Sequence, residues 1–138
     1  MNTLTRSGTQ WVLTALVVLG LAVDAFVHFD LASAFEGNRT SVLSEAQIFR
    51  AQSIVAIIVA LGVLVRPRRY TAALAFLVAA GALIAVVLYR YVDIGAIGPI
   101  PNMYDPYWGP IGKVLSLIGE ALAAAAALLL FLSYRPRP

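Results

Sequence analysis

The sequence contains no cysteine, one histidine and one lysine, and only 12% of its 138 residues are charged. Without thiols there is no disulfide scaffold, CxxC redox centre or thiolate metal site. A single histidine rules out bis-histidine haem ligation within one chain. An average soluble domain is about a quarter charged, so at about half that density a water-facing surface cannot be covered. There is no glycine-rich phosphate loop and no internal repeat. Ser33, Ser41 and Ser44 have no histidine in a pattern that would make one of them a nucleophile. These absences argue for binding rather than catalysis.

What the chain does have is apolar length. Hydrophobic residues make up 61% of it, and its mean hydropathy is +0.86. A bilayer core about 30 Å thick takes about 20 apolar residues of helix. Four segments meet that requirement: 11–31, 47–65, 70–91 and 111–134. They are rich in Ala and Leu, which are good helix formers, and they show none of the alternation of a membrane strand. The expected fold is all-α: one integral membrane domain over 1–138, folded as a four-transmembrane-helix antiparallel bundle. The first segment has some marks of a signal peptide, with Arg6 ahead of it and Ala32-Ser33-Ala34 after it. Its apolar core is followed by Asp24, His28 and Asp30, too long and too polar for a cleavage region, so it is read as a retained span.

Charge asymmetry sets the expected orientation. Arg6, Arg66, Arg68, Arg69, Arg135 and Arg137 fall on one side of a four-span topology, giving that side +6 and no acid. The other side carries Arg39, Arg50, Arg90, Lys113 and all seven acids, for a net −3. By the positive-inside rule both termini are cytoplasmic, and the protein is a multi-pass protein of the plasma membrane. The basic residues form no patch interleaved with aromatics, so nucleic acid is not an expected partner.

The inner connection, Arg66-Pro67-Arg68-Arg69, is short enough to make the second and third spans a hairpin. The outer loops, 32–46 and 92–110, are longer. Ser44 followed by Gln47 fits a capping box at the start of the second span. Residues 92–110 hold four prolines and three glycines and should be non-helical. Their Tyr104, Tyr107 and Trp108 suit an ordered flap over the outer mouth of the bundle. Small residues share faces on two spans: Ala72, Ala75, Ala79 and Ala82 on the third, Gly119, Ala123 and Ala127 on the fourth. Such faces allow close helix packing, within the bundle or across a homodimer.

The candidate functional residues are ionisable groups in or near the spans, where they are costly and tend to face the interior. Asp24 lies about 20 Å along the first span from Trp11, His28 is one turn further, and Glu120 is about 10 Å past Lys113. With Arg50, Arg90 and Asp93 they place a polar group at the outer end of every span. They form a candidate ligand-binding or ion-pair cluster, with Asp24–Arg50 or Glu120–Arg90 as the expected pairs. No cofactor is indicated by any motif. The weakly specific set Asp24, His28 and Glu120 could offer a divalent metal three ligands. Asn38-Arg39-Thr40 matches a glycosylation sequon and is read as coincidence.

Two stretches carry a resemblance: Tyr-Arg-Tyr-Val-Asp-Ile-Gly-Ala-Ile-Gly-Pro-Ile-Pro-Asn-Met-Tyr-Asp-Pro-Tyr at 89–107, and His28-Phe29-Asp30-Leu31-Ala32. The chain resembles small four-span membrane proteins of high-GC Gram-positive, actinobacterial type, a group with no named activity. The resemblance implies a plasma-membrane protein of such a bacterium. The functional expectation is a non-enzymatic accessory or binding protein, its site in the outer half of the bundle and its partner a small ligand, a membrane complex or a second copy. A small ion- or proton-coupled transporter is the alternative, and a membrane enzyme a third.

Overall fold

The computed structural model describes residues 5–136. Four helices account for the architecture: α1 (Gly8–Ala32), α2 (Glu45–Val65), α3 (Arg69–Tyr91) and α4 (Ile111–Ser133). A single 3-10 turn, Ser33–Phe35, extends α1. The shortest helix has 21 residues, about 31 Å at 1.5 Å per residue. All four are long and apolar enough to cross a membrane. Their limits fall within a few residues of those expected from the sequence. Arg137, counted above with the arginines of one end, lies outside the described residues.

Local chemistry fixes the helix ends. Ser44 begins α2 with a capping box: its hydroxyl accepts from the Gln47 amide at 3.0 Å, and the Gln47 side chain accepts from the Ser44 N–H at 2.9 Å. Ser7 and Gln10 repeat the device at the start of α1, which the sequence reading missed. At the arginine-rich end, Arg6 donates to the Val63 and Leu64 carbonyls of α2 at 2.5 and 2.6 Å. A cation there satisfies orphan carbonyls and opposes the negative end of the helix dipole. Arg69 lies over the Phe131 ring, 4.1 Å from its centroid.

The bundle is antiparallel. α1 packs most extensively on α4 and then on α2, α3 packs on α4, and of these four neighbouring pairs α2 and α3 are the most loosely packed. Large apolar side chains face outward, among them Phe26, Phe29, Ile58, Leu77 and Ile118. The interior is built largely from small ones: Ala56, Ala72, Ala75, Ala79, Ala123 and Ala127 are all fully buried. Large outside and small inside suits lipid, where close backbone approach and dispersion hold helices together. The small faces on α3 and α4 are thus consumed inside the chain. Ala82 is the exception, because it lines a cavity.

The two long loops sit together at the other end, here called the loop end. Thr40 donates to the Pro99 carbonyl at 2.7 Å, and Asn38 to the Asn102 carbonyl at 2.8 Å. The Asp105 amide donates to the Tyr89 carbonyl at the end of α3. Residues 92–110 contain no helix; their one tight turn pairs Ile97 with Ile100 and uses Gly98 at φ +55°.

Candidate functional site

Asp24 and His28 are one turn apart on α1, and Ser116 and Glu120 one turn apart on α4. Residues at i and i+4 share a helix face, and the close α1–α4 packing turns these two faces toward each other. Asp24 Oδ1 lies 2.8 Å from His28 Nδ1. That nitrogen is also 2.9 Å from the Asp24 backbone carbonyl. Ser116 Oγ donates to Glu120 Oε1 at 2.6 Å and lies 3.3 Å from Asp24 Oδ1. From α2, Gln52 Nε2 donates to Asp24 Oδ2 at 2.8 Å, and the neighbouring Ser53 hydroxyl ties α2 to α1 through the Ala25 carbonyl at 2.7 Å.

Asp24 and Glu120 are both 0% exposed. One ligating atom from each of Asp24, His28 and Glu120 falls within 4.8 Å of the others. Glu120 Oε2 is buried with no hydrogen-bond partner. Two carboxyl groups so close in a low-dielectric interior repel strongly unless a proton or a cation lies between them.

The expected cluster is brought together only in part. Asp24, His28 and Glu120 meet; Arg50, Arg90 and Asp93 do not join them. Neither expected ion pair forms. Arg50 reaches Glu36 of the first loop at 2.5 Å, because its side chain starts near the α2 terminus and extends toward water. Arg90 lies over Tyr91 and Trp108, 4.8 and 5.2 Å from their centroids. Asp93 caps its own loop, accepting from the Gly95 amide and the Asn102 side chain. Ser116 and Gln52 are the site residues that sequence reasoning missed. The available signal was Ser116 one turn before Glu120, at the depth of Asp24.

A cavity of about 160 Å³ leads from the loop end to this cluster. Its walls are Val27 and Leu31 of α1, Ile48 and Phe49 of α2, and Ala82, Ala85 and Val86 of α3. His28, Gln52 and Ser116 form its polar end. Space opens here because α3 presents alanines where it faces loosely packed α2. Glu45, Tyr89, Asp105 and Lys113 stand toward the loops. Lys113 pairs with Asp105 at 3.0 Å and donates to the Asp105 and Tyr107 carbonyls at 3.0 and 2.6 Å. Glu45 accepts from Asn38 at 2.6 Å.

From the second loop, Met103, Asp105 and Pro110 line the cavity, and the three aromatics singled out from sequence do not. Tyr107 is largely exposed, and Tyr104 is partly so. Trp108 packs edge-on against Tyr91. The Asn38 amide of the sequon is engaged by Glu45 and Asn102.

Ser116, His28 and Asp24 together do not make a catalytic triad. In a triad the acid and the nucleophile hydroxyl sit on opposite imidazole nitrogens. Here both approach Nδ1, and the Ser116 hydroxyl is spent on Glu120. No known family, curated protein or solved structure matches the chain.

Proposed function

We propose that this chain is a non-enzymatic binding protein of the plasma membrane, with both termini cytoplasmic, that takes a compact, mainly apolar molecule with one polar end into the cavity from the outer side. One observation carries this reading: a cavity with apolar walls terminates on three polar side chains, His28, Gln52 and Ser116. Small-molecule sites commonly combine apolar lining with a few convergent polar groups. The arginine asymmetry supports the orientation, and four helices long and apolar enough to cross a bilayer support the membrane.

The test is native mass spectrometry of the protein extracted from its own membranes in mild detergent, beside Ala85→Trp, which fills the cavity. A discrete organic mass adduct on the wild type that is lost from the variant supports the reading. Bare protein in both overturns it. A stable hetero-complex instead would make the protein an accessory subunit that docks through its loops.

The facing acids Asp24 and Glu120 favour a second reading, an ion- or proton-coupled carrier. Toward the arginine-rich end the core closes with Val17, Leu21, Val63 and Leu130, all buried, and that gives a carrier no path. Proteoliposome flux that depends on Glu120 would reinstate it.

A further inference from the structure

We infer that Asp24, His28 and Glu120 form a binding site for one divalent transition-metal cation, set at the polar end of the cavity, with which it shares His28. The site joins two helices at the α1–α4 interface and offers two carboxylates and one imidazole. The mixture of hard oxygens with a borderline nitrogen suits Mn²⁺, Fe²⁺ or Zn²⁺; Mg²⁺ prefers all-oxygen surroundings.

Three observations carry this beyond a group of acids. The first is charge. Arg50 is held by Glu36, Arg90 lies on Trp108 and Lys113 is bound to Asp105, so among the described residues these three cations are engaged elsewhere and His28 is the one basic group beside Asp24. Two carboxylates with one divalent cation form a neutral unit, which relieves the cost of ionised groups inside a membrane.

The second is Glu120 Oε2. It is a fully buried carboxylate oxygen with no hydrogen-bond partner, on a side chain whose other oxygen is held by Ser116 at 2.6 Å. Buried polar atoms are nearly always satisfied, and an orphan points to a ligand.

The third is geometry. Ligands about 2.1 Å from a metal stand about 3.0 Å apart at an octahedral edge and about 3.4 Å apart at a tetrahedral one. Asp24 Oδ1 and His28 Nδ1, 2.8 Å apart, are already near that spacing. The widest separation in the set, at most 4.8 Å, closes by rotation of Glu120, which has three side-chain torsions. Between the Asp24 carbonyl and carboxylate oxygens, Nδ1 is placed to carry the ring proton when no metal is bound; coordination through Nδ1 requires that proton to be lost or moved to Nε2. Gln52 and Ser116, which bond the two carboxylates, would orient them as outer-shell groups usually do.

The experiment uses the full chain purified in detergent without chelator. Elemental analysis by inductively coupled plasma mass spectrometry gives metal per chain. The chelator-stripped protein is then titrated calorimetrically with Zn²⁺ and with Mn²⁺. The expected result is one ion per chain, with affinity reduced at least tenfold in Asp24→Asn, His28→Ala and Glu120→Gln, and unchanged in Glu36→Gln. Loading with Co²⁺ adds a visible spectrum that shifts in His28→Ala. Failure of the wild type to take up either ion at micromolar concentration overturns the site, as does uptake that survives Glu120→Gln. Because wild-type uptake decides the question first, a variant that fails to fold does not shelter it. An organic adduct without metal would leave the cavity reading standing and remove this one.

Discussion

Gly20 of α1 and Gly119 of α4 lie back to back where the two helices meet. A Cβ at Gly20 would collide with the Gly119 carbonyl oxygen and stand 2.9 Å from Ala123 Cβ; one at Gly119 would stand 2.8 Å from the Gly20 oxygen and 3.2 Å from the Val23 side chain. This contact sets the distance between the faces that carry Asp24 and Glu120, so the packing of two glycines decides whether the acids meet. Gly20→Ala and Gly119→Ala are each expected to cost about 1–3 kcal/mol through overpacking. Because both substitutions open the same contact, the double variant should lose less than the sum. Thermal unfolding in detergent, followed by circular dichroism, measures all three.

Gln52 holds the second oxygen of Asp24 from α2. Gln52→Leu keeps the side chain's approximate size and removes the donor. A buried acceptor stripped of its partner costs about 1–3 kcal/mol. In a cycle with Asp24→Ala, which removes the acceptor, a coupling of at least about 0.5 kcal/mol is expected. Additive losses would show that the 2.8 Å bond contributes nothing to stability.

The sequence made the skeleton legible for a simple reason: four apolar runs in a bilayer leave few alternatives, and Ser44 with Gln47 announces the start of α2. The acids were legible because a carboxylate in a span has to find company. Partners were harder to read. Arg50 and Arg90 have long flexible stems near helix ends, and sequence position does not say whether such a stem turns inward or toward water. Ser116 and Gln52 were passed over because a neutral polar residue inside a helix carries no marked cost. Gly20 went unnoticed because its importance arises only opposite Gly119, and helix pairing is not written in local pattern.

Ala85 lines open space rather than a packed interface. Ala85→Leu should therefore be neutral or stabilising, by up to about 1 kcal/mol for the added apolar area. Ala75→Leu, in the fully buried face of the same helix, should destabilise by about 1–3 kcal/mol through overpacking. Equal destabilisation of both in a thermal melt would mean that the cavity is closed in the membrane protein.

Lys113 ties residues 105 and 107 to the start of α4 through an ion pair and two carbonyl contacts. Hydrogen bonds to charged groups are worth about 1.5–3 kcal/mol each. Lys113→Met should free the segment over the cavity, and amide exchange at 103–109 should accelerate at least tenfold, equivalent to about 1.4 kcal/mol. Exchange in the fully buried part of α4 should stay unchanged. A uniform increase along the helix would instead mean that Lys113 supports the bundle as a whole.

The absence of cysteine allows a clean test of orientation, because every introduced thiol is the only one. Ser41 and Tyr107 are exposed at the loop end, and Thr5 and Pro136 at the arginine-rich end. With both termini cytoplasmic, a membrane-impermeant maleimide should label Ser41→Cys and Tyr107→Cys in intact cells. Thr5→Cys and Pro136→Cys should react only after permeabilisation. The arginine bias makes this the favoured outcome, since six of the ten basic residues lie on the second side with no acid beside them. The reverse labelling would turn the cavity mouth toward the cytoplasm. Its ligand would then have to be sought among cytoplasmic molecules, while the α1–α4 cluster would keep the same geometry.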